Sequence, residues 1–226
     1  MPVMKRTALV ISATIALALS LALPAVAPAT LTEVGVLPAT TPPTVPSCPA
    51  SPCLAVSRTT GFLVKVGATH YFLAVPRSGT IVAWTITLGK PSASQIKFFN
   101  TNEGGAAEAG LAILRLQPKP NLTYKLVAQS PPVLLQPYFG ETAQFPLETT
   151  LPVKKHDVVA LTVPTWAPAL ALGFGHETSW RASRPRTQCS STSSLSAQTQ
   201  IGSSVQYYCL YQTARLTYSA TEISTP

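Results

Sequence analysis

The chain is 226 residues long and carries 16 Lys and Arg against 8 Asp and Glu, a formal net charge of +8, with 22 prolines and four cysteines. Asp157 is its one aspartate. So thin an acidic inventory argues against a calcium site, which takes about six to eight oxygen ligands and usually several acids, and against a two-carboxylate glycosidase.

The opening reads MPVMKR, then TALVISATIALALSLAL from Thr7 to Leu23 without a charge, then PAVAPAT. Cationic residues, an apolar run and small residues in that order predict a signal peptide over residues 1–29, cut after Ala29 in Ala27-Pro28-Ala29. The alternative is an uncleaved anchor, since the run is close to the ~17-residue lower limit for a spanning helix. Cleavage removes Lys5 and Arg6 but no acid, leaving 14 basic against 8 acidic residues, a net +6, and no expected membrane span. A basic chain outside the cell is drawn to anionic cell-wall polymers or acidic polysaccharides. Nucleic acid is not expected as a partner, for want of a recognition helix or an RNA-binding aromatic signature. Lys154-Lys155 and Arg181, Arg184 and Arg186 form two weak basic clusters, which a solvated face explains as well as a ligand does.

Residues 30–53 are rich in Pro and Thr and read as an extended spacer that ends in CPASPC. Four cysteines in an exported chain predict two disulfides. Cys48 and Cys53 are close enough for a local loop, and Cys189 and Cys209 bracket the polar run SSTSSLSAQTQIGSSVQYY, so the expected pairs are Cys48 with Cys53 and Cys189 with Cys209. A crosslink between the amino-terminal and carboxy-terminal segments is the rival. A zinc site lacks both a CxxC pair and a histidine at ligand spacing.

Residues 54–226 form one domain of short apolar runs and turn signals, enough chain for a real core. In TIVAWTITLG the alternation places Val82, Trp84, Ile86 and Leu88 on one face. GFLVKV, HYFLAV, GLAILRL, LTYKLVAQ, DVVALTV and ARLTYSAT read the same way, and PRSG, GKPSAS, NEGGAAEAG, PKPN and SPP between them read as turns. No segment holds a 3.6-residue period for three turns, and 22 prolines oppose long helices. The expectation is an all-β fold, an antiparallel two-sheet sandwich of jelly-roll type. An immunoglobulin-like sandwich is the runner-up, disfavoured by its length of about 100 residues and by the missing Cys-Trp-Cys spacing.

SRTTGFLVKVGATHYFLAVPRSGTIVAWTITLGKP, VKKHDVVALTVPTWAPALALG, TSWRAS and CLYQTARLTYSATEIS together resemble a group of exported proteins of high-GC actinobacteria, across nearly the whole mature chain. The resemblance implies a bacterial source and a sandwich fold. That group has no assigned activity, so no functional residue carries over from it.

Trp166, in VPTWAP, stands between Pro164 and Pro168, which pre-set the backbone as for a rigid aromatic platform that stacks on a sugar ring; capping the end of a core is the plainer role. Trp84 is expected in the core. Trp180 and Arg181, in ETSWRASRPR, offer an aromatic and arginine surface, for which guanidinium stacking is worth ~0.5–1 kcal/mol when exposed, unless Trp180 is core. His156-Asp157 and His176-Glu177 are adjacent pairs, and neighbours in a strand face opposite sides, so they are expected as solvated polar residues. Glu103 and Glu108 share a glycine-rich loop. The serines lack a GxSxG elbow and the lysines lack a P-loop. No catalytic residue, metal or cofactor is assigned. The expected function is that of an exported, non-catalytic sandwich at or outside the cell envelope, binding polysaccharide or another envelope component. The alternatives are a structural matrix subunit and a hydrolase of unrecognised type.

Overall fold

A computed structural model describes residues 29–37, 44–190 and 195–224; the expected leader, Ala29 apart, lies outside them. In chain order the strands are β1 (Thr30–Val34), β2 (Val56–Val66), β3 (Thr69–His70), β4 (Gly79–Thr87), β5 (Glu108–Leu116), β6 (Thr123–Gln129), β7 (Val133–Leu134), β8 (Thr142–Val153), β9 (Val158–Ala167), β10 (Leu170–Leu172), β11 (Ser179–Ala182), β12 (Ser204–Gln206), β13 (Cys209–Gln212), β14 (Ala214–Leu216) and β15 (Tyr218–Ser224). Among the described residues the one α-helix, α1 (Ala93–Asn102), lies between β4 and β5. The smaller sheet runs β1-β15-β4-β8. The larger runs β12-β6-β5-β9-β2-β11-β13, with β3 on β2 and β7 on β5, and β10 pairs separately with β14. The ladders within and between these elements are antiparallel, so the fold is the expected all-β two-sheet sandwich.

Period-two alternation holds in β4 but with a slip. Val82 is skipped in the pairing with β15, so Ile81, not Val82, turns inward with Trp84, Ile86 and Leu88. A bulge adds one residue and reverses the faces on one side of it. In the middle of the large sheet alternation disappears: Thr59–Leu63, Ala109–Leu114 and Val159–Val163 are buried without a break. These strands are covered on both faces, as continuous apolar runs require. One face meets the smaller sheet, from which the Tyr218 hydroxyl donates to the carbonyls of Gly61 and Val159 at 3.3 and 3.0 Å. The other curls around residues 195–207. There Gln198 N donates to Thr60 Oγ1 at 3.0 Å, Thr60 and Thr162 hydroxyls meet at 3.1 Å, and the Tyr207 hydroxyl donates to Gln198 Oε1 at 2.7 Å. A buried polar group must be satisfied, and this network satisfies the one glutamine that the polar run pushes into the core.

Both expected disulfides are present, Cys48–Cys53 and Cys189–Cys209, and the second closes the run that supplies Gln198. Two readings need correction. Residues 30–34, expected within the spacer, form β1, which pairs from Thr30 with Ser224 to Val34 with Ala220; its backbone groups complete the edge of the smaller sheet. GKPSAS does not only turn. It starts α1, with Ser92 accepting from Gln95 N and Gln95 Oε1 accepting from Ser92 N, a reciprocal capping box.

Candidate functional site

Antiparallel register carries cations to one end of the sandwich. Leu114 of β5 pairs with Val158 of β9, Arg115 of β5 with Lys125 of β6, and Gly79 of β4 with Val153 of β8. Arg77, Arg115, Lys119, Lys125, Lys154 and Lys155 flank or belong to those pairs and so share this end, together with His156. The β8–β9 turn is built by Asp157, whose backbone N–H donates to Lys154 O and whose carboxylate accepts from Lys154 N, each at 2.9 Å. His156 takes the left-handed conformation at φ +72° and stays exposed. The turn is tied to the β3–β4 segment: His156 N donates to Val75 O, Val75 N to Asp157 O, and Lys155 N to Ser78 Oγ at 3.2 Å. This brings Arg77 beside Lys154 and Lys155.

Between β6 and β8 the end opens into a cleft of about 490 Å³, lined by Ser78, Gly79, Arg115, Val127, Pro152, Val153 and Lys154. Lys125 lies directly opposite Arg115 and so on its face of the sheet. Only glycine fits at 79, because a Cβ there would lie 2.2 Å from Ile223 O.

Asp157 is 2 % exposed and grips Arg115 through both oxygens, Nε to Oδ1 at 2.8 Å and Nη2 to Oδ2 at 2.7 Å. That hydrogen bond raises the Arg115 pKa against the lowering effect of burial. Arg115 is thereby held in place and Asp157 spent. Six Lys and Arg therefore flank this end, with Asp157 and, close enough to Arg77 to be drawn by its charge, Glu222 as the acids. On the neighbouring strands of the smaller sheet, Glu33 is exposed and accepts from the Thr221 hydroxyl. Glu222 is fully buried with neither oxygen hydrogen-bonded, and burial raises its pKa against the pull of Arg77.

Around the cleft Arg77, Lys119, Lys125, Lys154 and Lys155 are exposed and Arg115 is half-buried. A single pair at 4 Å in water is worth about 1 kcal/mol, and salt screens it over about 8–10 Å, so attraction to exposed cations of this kind grows only with their number.

The aromatic candidates lie elsewhere. Trp166 is 0 % exposed. Its ring stacks on Phe99 of α1 at 4.7 Å and tilts against Phe139 at 5.6 Å, and its N–H donates to Asn100 Oδ1 at 2.9 Å and Gly105 O at 3.0 Å. The platform reading is overturned, because a ring without exposed surface cannot stack on a sugar; Trp166 docks α1 onto β9. Trp180 is 6 % exposed and packs on Tyr211 at 4.8 Å. Arg181 faces away from it and donates to the carbonyls of Tyr207 and Tyr208, as alternation in a strand demands, and desolvation lowers its pKa. The joint Trp180 and Arg181 surface is therefore not formed. The arginine on the Trp180 side is Arg184, 5.8 Å over the Tyr211 ring.

Asp157 is buried and ion-paired rather than solvated, whereas His176 is exposed and bonds Gln212 Oε1 at 2.9 Å. Glu103 pairs with Arg58 at 3.2 Å, and Glu108 N donates to Thr165 Oγ1. Among the described residues no group of three His, Cys, Asp or Glu side chains could hold a metal ion, and no helix is long and apolar enough to cross a membrane. The two disulfides fit an oxidising compartment. Of the cationic end, the Lys154-Lys155 pair was visible as a cluster in the sequence; Arg77, Arg115, Lys119 and Lys125 are dispersed, and only strand order assembles them. No family model, curated protein or solved structure matches the chain.

Proposed function

We propose that the protein is exported and acts at or outside the cell envelope as a non-catalytic sandwich that retains an anionic polysaccharide on its cationic end. The carrying observation is the clustering of cations: six Lys and Arg, five of them exposed, gather at one end beside one paired Asp and one buried Glu. Disulfides and the leader-like opening support the extracellular setting. The test is co-sedimentation of the purified protein with polygalacturonate and with a neutral glucan at low and high salt. Retention on the acidic polymer alone, abolished by salt and weakened by Lys154→Ala/Lys155→Ala without a change in melting temperature, is the expected result. Equal retention on the neutral glucan, or retention indifferent to salt, defeats the proposal.

A further inference from the structure

One cation of the cleft differs from its neighbours. The lysines there end in flexible stems, whereas the Arg115 guanidinium is clamped by Asp157 through Nε and Nη2. The clamp is itself fixed, because Asp157 is 2 % exposed and its Oδ2 also accepts from Lys154 N at 2.9 Å. The plane and position of the guanidinium are thus set before any ligand arrives, which removes the cost of ordering a long side chain on binding.

A guanidinium carries its N–H donors in a rigid fork that matches the paired oxygens of a carboxylate or phosphate. Asp157 takes the edge formed by Nε and Nη2, which leaves the edge formed by Nη1 and the second Nη2 hydrogen; Nη1 meets no acceptor among the described residues. That second edge is within reach of solvent. The Arg115 side chain is 39 % exposed although its partner is buried, so the clamped edge faces inward and the remaining one faces out, in the wall of the 490 Å³ cleft. Lys154 and Ser78 are the other polar side chains of the lining, Val127, Pro152 and Val153 are apolar, and no acid lines it. Since Asp157 balances the charge of Arg115, net attraction comes from Lys154 and from Lys125, which lies opposite Arg115 in register.

We propose that the cleft is a subsite for one oxyanion group, held by two parallel hydrogen bonds from the outward edge of Arg115 with Lys154 beside it. This inference rests on the reading of the cationic end given above and adds geometry to it: the exposed lysines attract by number, while the Arg115 fork selects a group with two oxygens side by side over a round anion of equal charge. The carboxylate of a uronate and the phosphate or sulfate ester of a substituted sugar all present such a pair.

The test is an NMR titration of the purified protein in which sodium chloride is replaced stepwise by sodium acetate or sodium phosphate at constant ionic strength and pH, following the Arg115 side-chain N–H and the backbone amides. Saturable shifts should gather on Arg115, Gly79 and Lys154, with a Kd of millimolar order. Arg115→Lys keeps the charge but not the fork and should weaken binding about tenfold, its fold checked by a melt. Because that change also disturbs the Asp157 clamp, Pro152→Glu is the second variant: on the exposed lining of edge strand β8 it brings a carboxylate to the fork and should abolish the shifts. Lys97→Ala makes the same change of one charge on α1, which docks at the other end of β9, and should leave them intact. Saturation by phosphate alone assigns the subsite to phosphate or sulfate esters, and saturation by acetate as well extends it to uronates. Shifts that do not saturate, that spread evenly over the exposed lysines and arginines, or that persist in both Arg115→Lys and Pro152→Glu overturn the assignment. Polymer retention without saturable shifts would remove the subsite and leave the reading of the cationic end, and saturable shifts without polymer retention would do the reverse.

Discussion

Replacing Trp166 with alanine distinguishes a core residue from a binding platform more sharply than any other single change. The indole has no exposed surface, and it joins Phe99 and Phe139 to β9. Truncating a buried Trp costs about 3–5 kcal/mol from lost contacts and the cavity left behind. Losing the N–H strands two acceptors, Asn100 Oδ1 and Gly105 O, for about 1 kcal/mol more. Since each kcal/mol moves the midpoint of a domain this size by about 2–4 °C, the melting temperature should fall by about 10–20 °C. Trp166→Phe keeps most of the packing and loses only the donor, so a drop of about 2–6 °C is expected. Calorimetry or circular dichroism melts measure both. A Trp166→Ala protein that melts within about 2 °C of the parent, yet no longer sediments with polygalacturonate, would refute the reasoning and restore the platform.

Breaking the Cys189–Cys209 bridge by paired serine substitution frees a loop with a sequence separation of 20, worth about 3 kcal/mol by chain entropy, and should loosen the Gln198 network; an unchanged melt would show that the loop orders itself. Asp157→Asn removes the bidentate partner of Arg115 and should cost about 3 kcal/mol, at the lower end for a broken buried pair because Arg115 is partly solvated. It also adds one positive charge to the cleft, so retention of acidic polymer by the folded fraction should rise while stability falls, and parallel loss of both would contradict the arrangement. Burial raises the pKa of Glu222, so over the window above the usual carboxylate value the folded chain keeps a proton that the unfolded chain has released. Its contribution to stability is then full below that usual value and lost as pH rises through the folded one. Glu222→Gln should match the parent below about pH 4 and exceed it increasingly toward neutrality; identical pH slopes in denaturant melts would exclude the effect.

The fold class was legible because period-two patterning is local, and the disulfide pairs because spacing and the polar run between Cys189 and Cys209 left few plausible loops. What escaped was non-local. Val82 reads as inward until the bulge beside β15 shifts it, and nothing in TIVAWTITLG marks that shift. α1 escaped because its apolar stripe is slight, with Phe99 its buried residue, yet the Ser92 to Gln95 capping box was a readable signal. Trp166 was left open between platform and core because flanking prolines rigidify a backbone equally well in a core and at a surface, and only burial decides for the core. The cationic end was half legible: Lys154-Lys155 are adjacent, but Arg115 and Lys125 become neighbours only through the pairing of β5 with β6.

Sheet edges bear on the competing reading of the protein as a matrix subunit. Assembly by strand addition needs an edge with a continuous row of free donors and acceptors. In the smaller sheet one edge is β8, which carries Pro146 and Pro152 and breaks its pairing with β4 between Ile81 and Ala83. Proline has no N–H to offer an incoming strand, so this twelve-residue edge is interrupted in two places. The other edge, β1, has five residues, and the larger sheet ends in β12 and β13 with three and four. Short or proline-broken edges are how sandwiches avoid one another, whereas of the six cations gathered at one end only Arg115 is ion-paired within the described chain, and like charges crowded together oppose folding. Stability is given up there, and a polyanion that neutralises the row would return it, which is why the charged end rather than a strand edge is the surface on which the function of this chain should be sought.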